Sequence, residues 1–351
     1  MKKKYKNLEK VALKFTQIMI RRVQEINDDW EKPWFPVVRK NFFPQNITGR
    51  RYSGGNIIML LFYMMFTDFK TPVFLTFRQA KERDIHIRKG VSSFPVYYFT
   101  YVYCNSNTKE RISEAEYEKL PEWEQNDYYI LPMAKYFDVF NLDQTNFAEK
   151  YPGQWEELLN GFEERVKLNT DENIFSFPLL DDVFREKTWV CPIELTKSNR
   201  AYYSPSQDRI VLPLKEQFKI GQAFYSTALH EMTHSTGSQE RLKRIKSGSS
   251  KGSDDYAREE LVAELSAALS GYYMGIETYP DKENAAYLKY WISQLNEEPD
   301  YLLDVLGDVV RAVSYILEKI GFVIPDNNPQ SPKEIKNSNV PTNNDNLVIV
   351  D

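Results

Sequence analysis

Leu8, Val11, Ala12, Phe15, Ile18, Met19, Val23 and Ile26 recur every three or four positions, which predicts an amphipathic opening helix. Ile57 to Phe66 is an unbroken apolar run of ten residues and reads as a short buried helix. Between them, Trp34 to Pro36 and Asn41 to Gly55 form an irregular, Pro-, Gly- and Asn-rich connection. Val96 to Tyr103 and Tyr136 to Leu142 are aromatic and β-branched, the composition of strands. Further on, the spacing predicts a helix over Pro152 to Val166 and a hairpin over Tyr202 to Leu212, turned at Ser204 to Asp208. Helices then follow over Phe218 to Thr236 and over residues 256–273, 281–296 and 300–320. Ser247 to Asp255 lacks any apolar anchor and reads as a mobile loop. Residues 322–351 turn to Asn, Pro, Ser and Lys and read as a disordered tail. The expected fold class is α+β, with a first domain over 1–145 and a mainly helical second domain over 146–321.

Composition adds compartment and charge to this outline. The two cysteines, Cys104 and Cys191, cannot build a disulfide framework and fit a reducing cytoplasm. The opening residues are basic, but Lys14, Thr16 and Gln17 interrupt the apolar stretch a signal peptide needs, and no run approaches the ~20 apolar residues of a membrane span. The net charge of −5 conceals an asymmetry: residues 1–100 carry 19 Lys and Arg against 8 Asp and Glu, and the remainder 26 against 42. A basic first part points to a polyanionic partner. Arg50, Arg51, Arg88 and Lys89 are the candidates for tracking the phosphates of a single strand. Trp34, Phe35, Tyr52 and Phe77 are the candidates for stacking on its bases.

The informative chemistry is in Thr227 to His234, which reads TALHEMTH. His230 and His234, one helical turn apart, present both imidazoles to a single ion, and Glu231 lies beside them as general base for an activated water. This uses two of the chain's three histidines. The third, His86, lies in the basic region and reads as an ordinary strand or loop residue. A carboxylate must therefore complete a zinc site of this class, leaving the fourth position open. Glu240 occupies the spacing of a metzincin third ligand. Glu260 and Glu264 share a face with Ala257, Ala267 and Gly271, small residues suited to a helix pressed against the metal-binding helix. The expected arrangement is Glu260 as ligand, with Glu264 accepting the Nδ1–H of His230 or His234. The reverse assignment and Glu240 stay open. The expected activity is peptide hydrolysis, with Tyr203, Tyr256 or Tyr272 available to steady the oxyanion and the hairpin available to pair with an extended peptide. A DNA-binding protective protein whose zinc domain is structural is the alternative.

These residues also resemble a known family. Tyr203 to Pro213, Thr227 to Gly237, Arg241 to Arg244 and Tyr256 to Leu265 are similar to segments of the ArdC-like antirestriction proteins. So are Lys32 to Trp34, Pro44 to Tyr52 with Gly55 and Asn56, Thr76 to Ala80, Ile87 to Gly90 and Val139 to Gln144. The resemblance spans roughly residues 8–320. It implies an N-terminal α+β domain that binds single-stranded DNA and a C-terminal zincin-like metallopeptidase domain, serving mobile elements that evade host restriction. A host restriction or defence protein would be the peptidase substrate, and Glu260 stands where the third ligand is expected. Two departures stand out: Ser238, where a second His is expected after the Gly, and an acidic, Tyr-rich insertion from Cys104 to Tyr129.

Overall fold

The computed structural model describes residues 8–29, 33–36, 42–162, 175–246, 252–280, 285–298 and 300–324. The chain opens with α1 (Glu9–Asp28), β1 (Gln45–Asn46), α2 (Gly55–Met65), β2 (Val73–Thr76) and α3 (Phe77–Glu82). It continues through β3 (Phe94–Asn105), β4 (Arg111–Ile112), α4 (Glu114–Tyr117), α5 (Glu122–Gln125) and β5 (Tyr128–Asn141). After α6 (Phe147–Lys150), α7 (Pro152–Phe162) and α8 (Pro178–Glu186) comes a second set of strands, β6 (Ile193–Thr196), β7 (Tyr202–Ser204) and β8 (Arg209–Pro213). Four long helices complete it: α9 (Gly221–Thr236), α10 (Asp254–Met274), α11 (Ala285–Glu297) and α12 (Asp300–Lys319).

The architecture is α+β, as the periodicity predicts. The opening helix, the apolar α2, the hairpin β7–β8 and the late helices all form where the pattern places them. Strands β1, β2, β4 and β6 and the helices α3, α4, α5, α6 and α8 are not foreseen: two to four strand residues carry too little alternation to be read, and helices this short span too few turns to show a period. The aromatic strands are longer than expected, because β3 and β5 pair without interruption from Phe94↔Val139 to Asn105↔Tyr128. The stretch read as an insertion is the far end of this hairpin. The first sheet has the order β1-β2-β5-β3-β4 and the second β6-β8-β7, which leaves β7 at an edge. Residues 163–166, 247–251, 281–284 and 325–351, over which a helix end, a loop, a helix start and a tail are expected, lie outside the described residues.

Packing crosses the division expected near residue 145. The larger core joins Leu8 to Ile26 of α1 and Ile57 to Met64 of α2 with side chains of α9, α10, α11 and α12. Conversely, Phe147, Leu158 and Phe162, beyond that division, pack with Val73 and Leu75 of the first sheet and with Leu142 just after it. The opening helix thus lays its apolar stripe against α2, α11 and α12, and α12 in turn packs on the helix that carries the histidines. Among the described residues no helix is long and apolar enough to cross a membrane.

Candidate metal centre

Helix α9 buries Phe224, Tyr225, Ala228, Leu229 and Met232, and this spacing turns His230 and His234 to the opposite side, toward a cavity of about 350 Å³. Helix α10 begins at Ser253, whose hydroxyl accepts the Tyr256 backbone N–H at 3.2 Å, and ends at Gly275 in the left-handed conformation. Its small residues let it lie close to its neighbours. At Gly271 a Cβ would sit 2.5 Å from Thr278 Cγ2 and 2.6 Å from the Ile276 carbonyl oxygen, so only glycine admits the returning segment.

The two helices bring three donors together. His230 Nε2 lies 3.1 Å from His234 Nε2 and 3.3 Å from Glu260 Oε2, and His234 Nε2 lies 3.6 Å from Glu260 Oε1. Nitrogen and oxygen ligands about 2.0–2.1 Å from a tetrahedral ion stand about 3.3 Å apart, so this triangle has the right size. The donor set therefore fits a divalent metal, and among the described residues it is the one His/Cys/Asp/Glu group with that geometry. Glu260 is 4% exposed. Burial raises its pKa, but the charges and hydrogen bonds of His234 and His230 outweigh burial and hold it well below the usual carboxylate range. Glu231 is also buried, and here desolvation dominates and raises its pKa against the opposing charges of the two histidines. That is the direction a general base near neutrality requires.

Each histidine has a carboxylate behind it. His234 Nδ1 lies 3.4 Å from Glu259 Oε1, and Arg244 grips Glu259 through Nε at 3.1 Å and Nη2 at 2.9 Å. Arg244 also donates to the Thr233 carbonyl at 2.9 Å and the Thr236 hydroxyl at 3.0 Å. Its loop closes this tightly because residue 237 is glycine: a Cβ there would meet Arg244 Nη2 and Ile245 Cγ1, both at 3.0 Å. Behind His230 stands Glu264, its Oε1 3.9 Å from Nδ1, longer than a hydrogen bond. Glu259 and Arg244 were missed from sequence. The available signal was the need of the second imidazole for its own carboxylate, one position along α10 from Glu260.

Glu240 is exposed and stands outside the cluster. The metzincin spacing fails because the chain turns after Gly237, with Leu242 N–H donating to the Thr236 carbonyl. His86 is exposed and paired with Asn146, away from the other histidines. Of the three tyrosines, Tyr272 donates to the Phe42 carbonyl at 2.8 Å and Tyr203 to Asp208 at 2.7 Å. Tyr256 lines the cavity. Its phenol pKa is raised, chiefly by burial and then by the nearby charge of Glu260.

The residues expected to contact DNA divide. Arg50, Arg88 and Lys89 are exposed, and Arg88 donates to Glu149 and, at 3.0 Å, to the Thr145 carbonyl. Arg51 lies over the Phe43 ring at 4.6 Å, and the partly buried Tyr52 packs edge-on against Phe74. Phe77 is 67% exposed, whereas Trp34 and Phe35 are 1% and 2% exposed. Trp34 is therefore no base-stacking platform. It is apolar core, with its one polar atom turned inward.

Comparison with known proteins agrees with this anatomy. Residues 9–140 match the family described as the N-terminal domain of anti-restriction factor ArdC, and residues 183–305 match the zincin-like metallopeptidases. Two Escherichia coli proteins named DNA primase TraC are 29% identical over 304 residues, which is 85% of this chain. The chain spans only 26% and 19% of their lengths. An uncharacterised protein, y4eC, of Sinorhizobium fredii is 23% identical over 81% of this chain and 83% of its own. Crystal structures of the antirestriction protein ArdC from plasmid R388 have a similar fold. The Mn(II)-bound form has a TM-score of 0.61 at 26% identity, covering 87% of this chain and 97% of that one. The metal-free form has 0.60 at 23% identity, covering 88% and 97%. Residues 9–140 thus form an ArdC-type N-terminal domain and residues 183–305 a zincin-like metallopeptidase domain, the make-up of an ArdC-like antirestriction protein.

Proposed function

We propose that the chain is a single-stranded-DNA-binding, zinc-dependent metallopeptidase of the antirestriction type. The observation that carries the catalytic part is the triangle of His230, His234 and Glu260 with Glu231 beside it. Zinc suits two imidazoles and a carboxylate, and a bound ion would polarise a peptide carbonyl and acidify water. That a relative of similar fold was solved with Mn(II) bound supports a divalent metal in this chain. Glu231 takes the proton from the attacking water on its carboxylate and passes it to the leaving amine. Tyr256, with its hydroxyl beside Glu260, is placed to donate to the developing oxyanion. Strand β7, at a sheet edge and with Tyr202 and Tyr203 lining the cavity, offers backbone groups to an extended polypeptide. Glu264, expected to accept the Nδ1–H of His230 or His234, stands behind His230 at 3.9 Å, and we assign it to the support of that imidazole.

The exposed Arg50, Arg88 and Lys89 and the excess of basic residues in the first hundred support binding to a polyanion. Arg51 and Tyr52, partly buried, border that surface.

Glu231→Gln tests the peptidase. It removes the base and keeps the three ligands, so metal content is expected to match the wild type while cleavage of a casein or peptide-library substrate falls by at least about 100-fold. Undiminished cleavage in that variant would overturn the assignment of Glu231. A wild-type protein that retains no divalent metal would overturn the whole site.

A further inference from the structure

Trp34 stands in the connection after α1, some 230 residues before the α10 glutamates, yet its indole reaches the rear of the metal centre. Its Nε1–H donates to Glu264 Oε2 at 2.6 Å, and both side chains are buried, at 1% and 2% exposure. The other oxygen of the same carboxylate, Oε1, faces His230 Nδ1 at 3.9 Å. The indole is itself fixed. Its backbone N–H donates to the Thr278 carbonyl at 2.9 Å, its ring packs beside Phe62 of α2 at 6.3 Å, and Arg22 of α1 donates to the preceding Pro33 carbonyl.

A purely apolar role for this side chain does not account for the contact. Phenylalanine would fill much of the same space, whereas an indole N–H facing a carboxylate is a charge-assisted hydrogen bond in a dry environment. The carboxylate gains a reason to hold one orientation. With Oε2 occupied by the indole, Oε1 is left toward the imidazole. We propose that Trp34 is a positioning residue of the metal centre: by fixing Glu264 against His230, the ArdC-type N-terminal region supplies part of the support of a metal site whose ligands all come from the C-terminal helices.

The inference rests on the metal reading under the proposed function, and its test separates the two. Zinc affinity of the full chain is measured by competition with a chromophoric chelator for wild type, Trp34→Phe, Glu264→Gln and the double variant, with thermal melts of each metal-free protein. Loss of a partner behind a metal-bound histidine typically costs roughly 10- to 100-fold in affinity; a loss of that size is expected for Glu264→Gln, and a smaller loss in the same direction for Trp34→Phe. In the Glu264→Gln background the same change is expected to cost much less, because the two residues act in series. Phe35→Leu, a neighbouring packing change with no polar link to the site, should lower the melting temperature and leave zinc affinity unchanged.

If wild type binds zinc and Trp34→Phe binds it as tightly, the positioning role is overturned and the metal site stands. That role is equally lost if Trp34→Phe and Glu264→Gln lower affinity independently, or if Phe35→Leu lowers it as much as Trp34→Phe does. If wild type binds no zinc, the metal reading itself fails, and the role of Trp34 with it.

Discussion

At His230, burial disfavours the imidazolium, but the hydrogen bond with Glu260 and the nearby charge of Glu264 outweigh it, lifting the pKa from 6.5 to about 9. His234 is raised well above 6.5 for the same kind of reason, through Glu260, Glu259 and Glu231 against its burial. Both rings must be neutral to bind a metal, so metal affinity should climb as pH rises from about 6 to about 9 and level off above it. The metal-free protein should behave in the opposite sense. A folded-state pKa above the unfolded one contributes stability that is complete below pH 6.5 and lost as pH rises through about 9. Chelator competition and melts of chelated protein, each across that range, check both slopes. An affinity independent of pH across that window would mean that these imidazoles are not the ligands.

Among the elements, α10 does the most to build the site, and it does so by being both acidic and small. Its glutamates Glu259, Glu260 and Glu264 point toward the histidines or behind them, while Ala257, Ala267 and Gly271 let neighbouring segments approach. Gly271 is the tightest point, since it admits Ile276 to Thr278, and Thr278 in turn holds the Trp34 backbone. Gly271→Ala would gain helix propensity, but its methyl group would stand 2.6 Å from a carbonyl oxygen that cannot move freely. Overpacking of this kind costs about 1–3 kcal/mol, so a lowered melting temperature is expected. An unchanged or raised midpoint would show that the segment yields. The ion pair of Arg244 with Glu259 has a related role: against its partial burial this carboxylate is kept charged by its hydrogen bond with His234 and by a guanidinium whose own position depends on Gly237.

On the scale of the whole molecule, the basic N-terminal region and the acidic remainder share one core, so a strand bound by the first, as proposed, would be held in fixed relation to the cavity of the second. Phosphate contacts release counterions, and a single strand touching about four phosphates gives a slope of about −3 in log affinity against log salt. Anisotropy of a labelled oligonucleotide should show such a slope, reduced by about 0.7 in Lys89→Ala. Binding that ignores salt would remove the single-strand reading and leave the peptidase untouched.

The HExxH run, the helical frame around it and the α+β outline were legible in sequence, because helical periodicity and the i, i+4 spacing are local properties of the chain. Glu260 was legible for the same reason, as a carboxylate on a stripe of small residues. Three matters were settled only by tertiary structure. The choice against Glu240 came from a turn after Gly237 that backbone packing closes. Glu259 and Arg244 became partners of His234 only when two helices and a loop met. Trp34 reads as a base-stacking candidate in a Pro-rich connection, and only its packing beside Phe62 and its backbone bond to Thr278 turn it inward to Glu264. In each case the deciding contact joins residues from different elements, and local patterning carries no information about which distant surface a side chain will face.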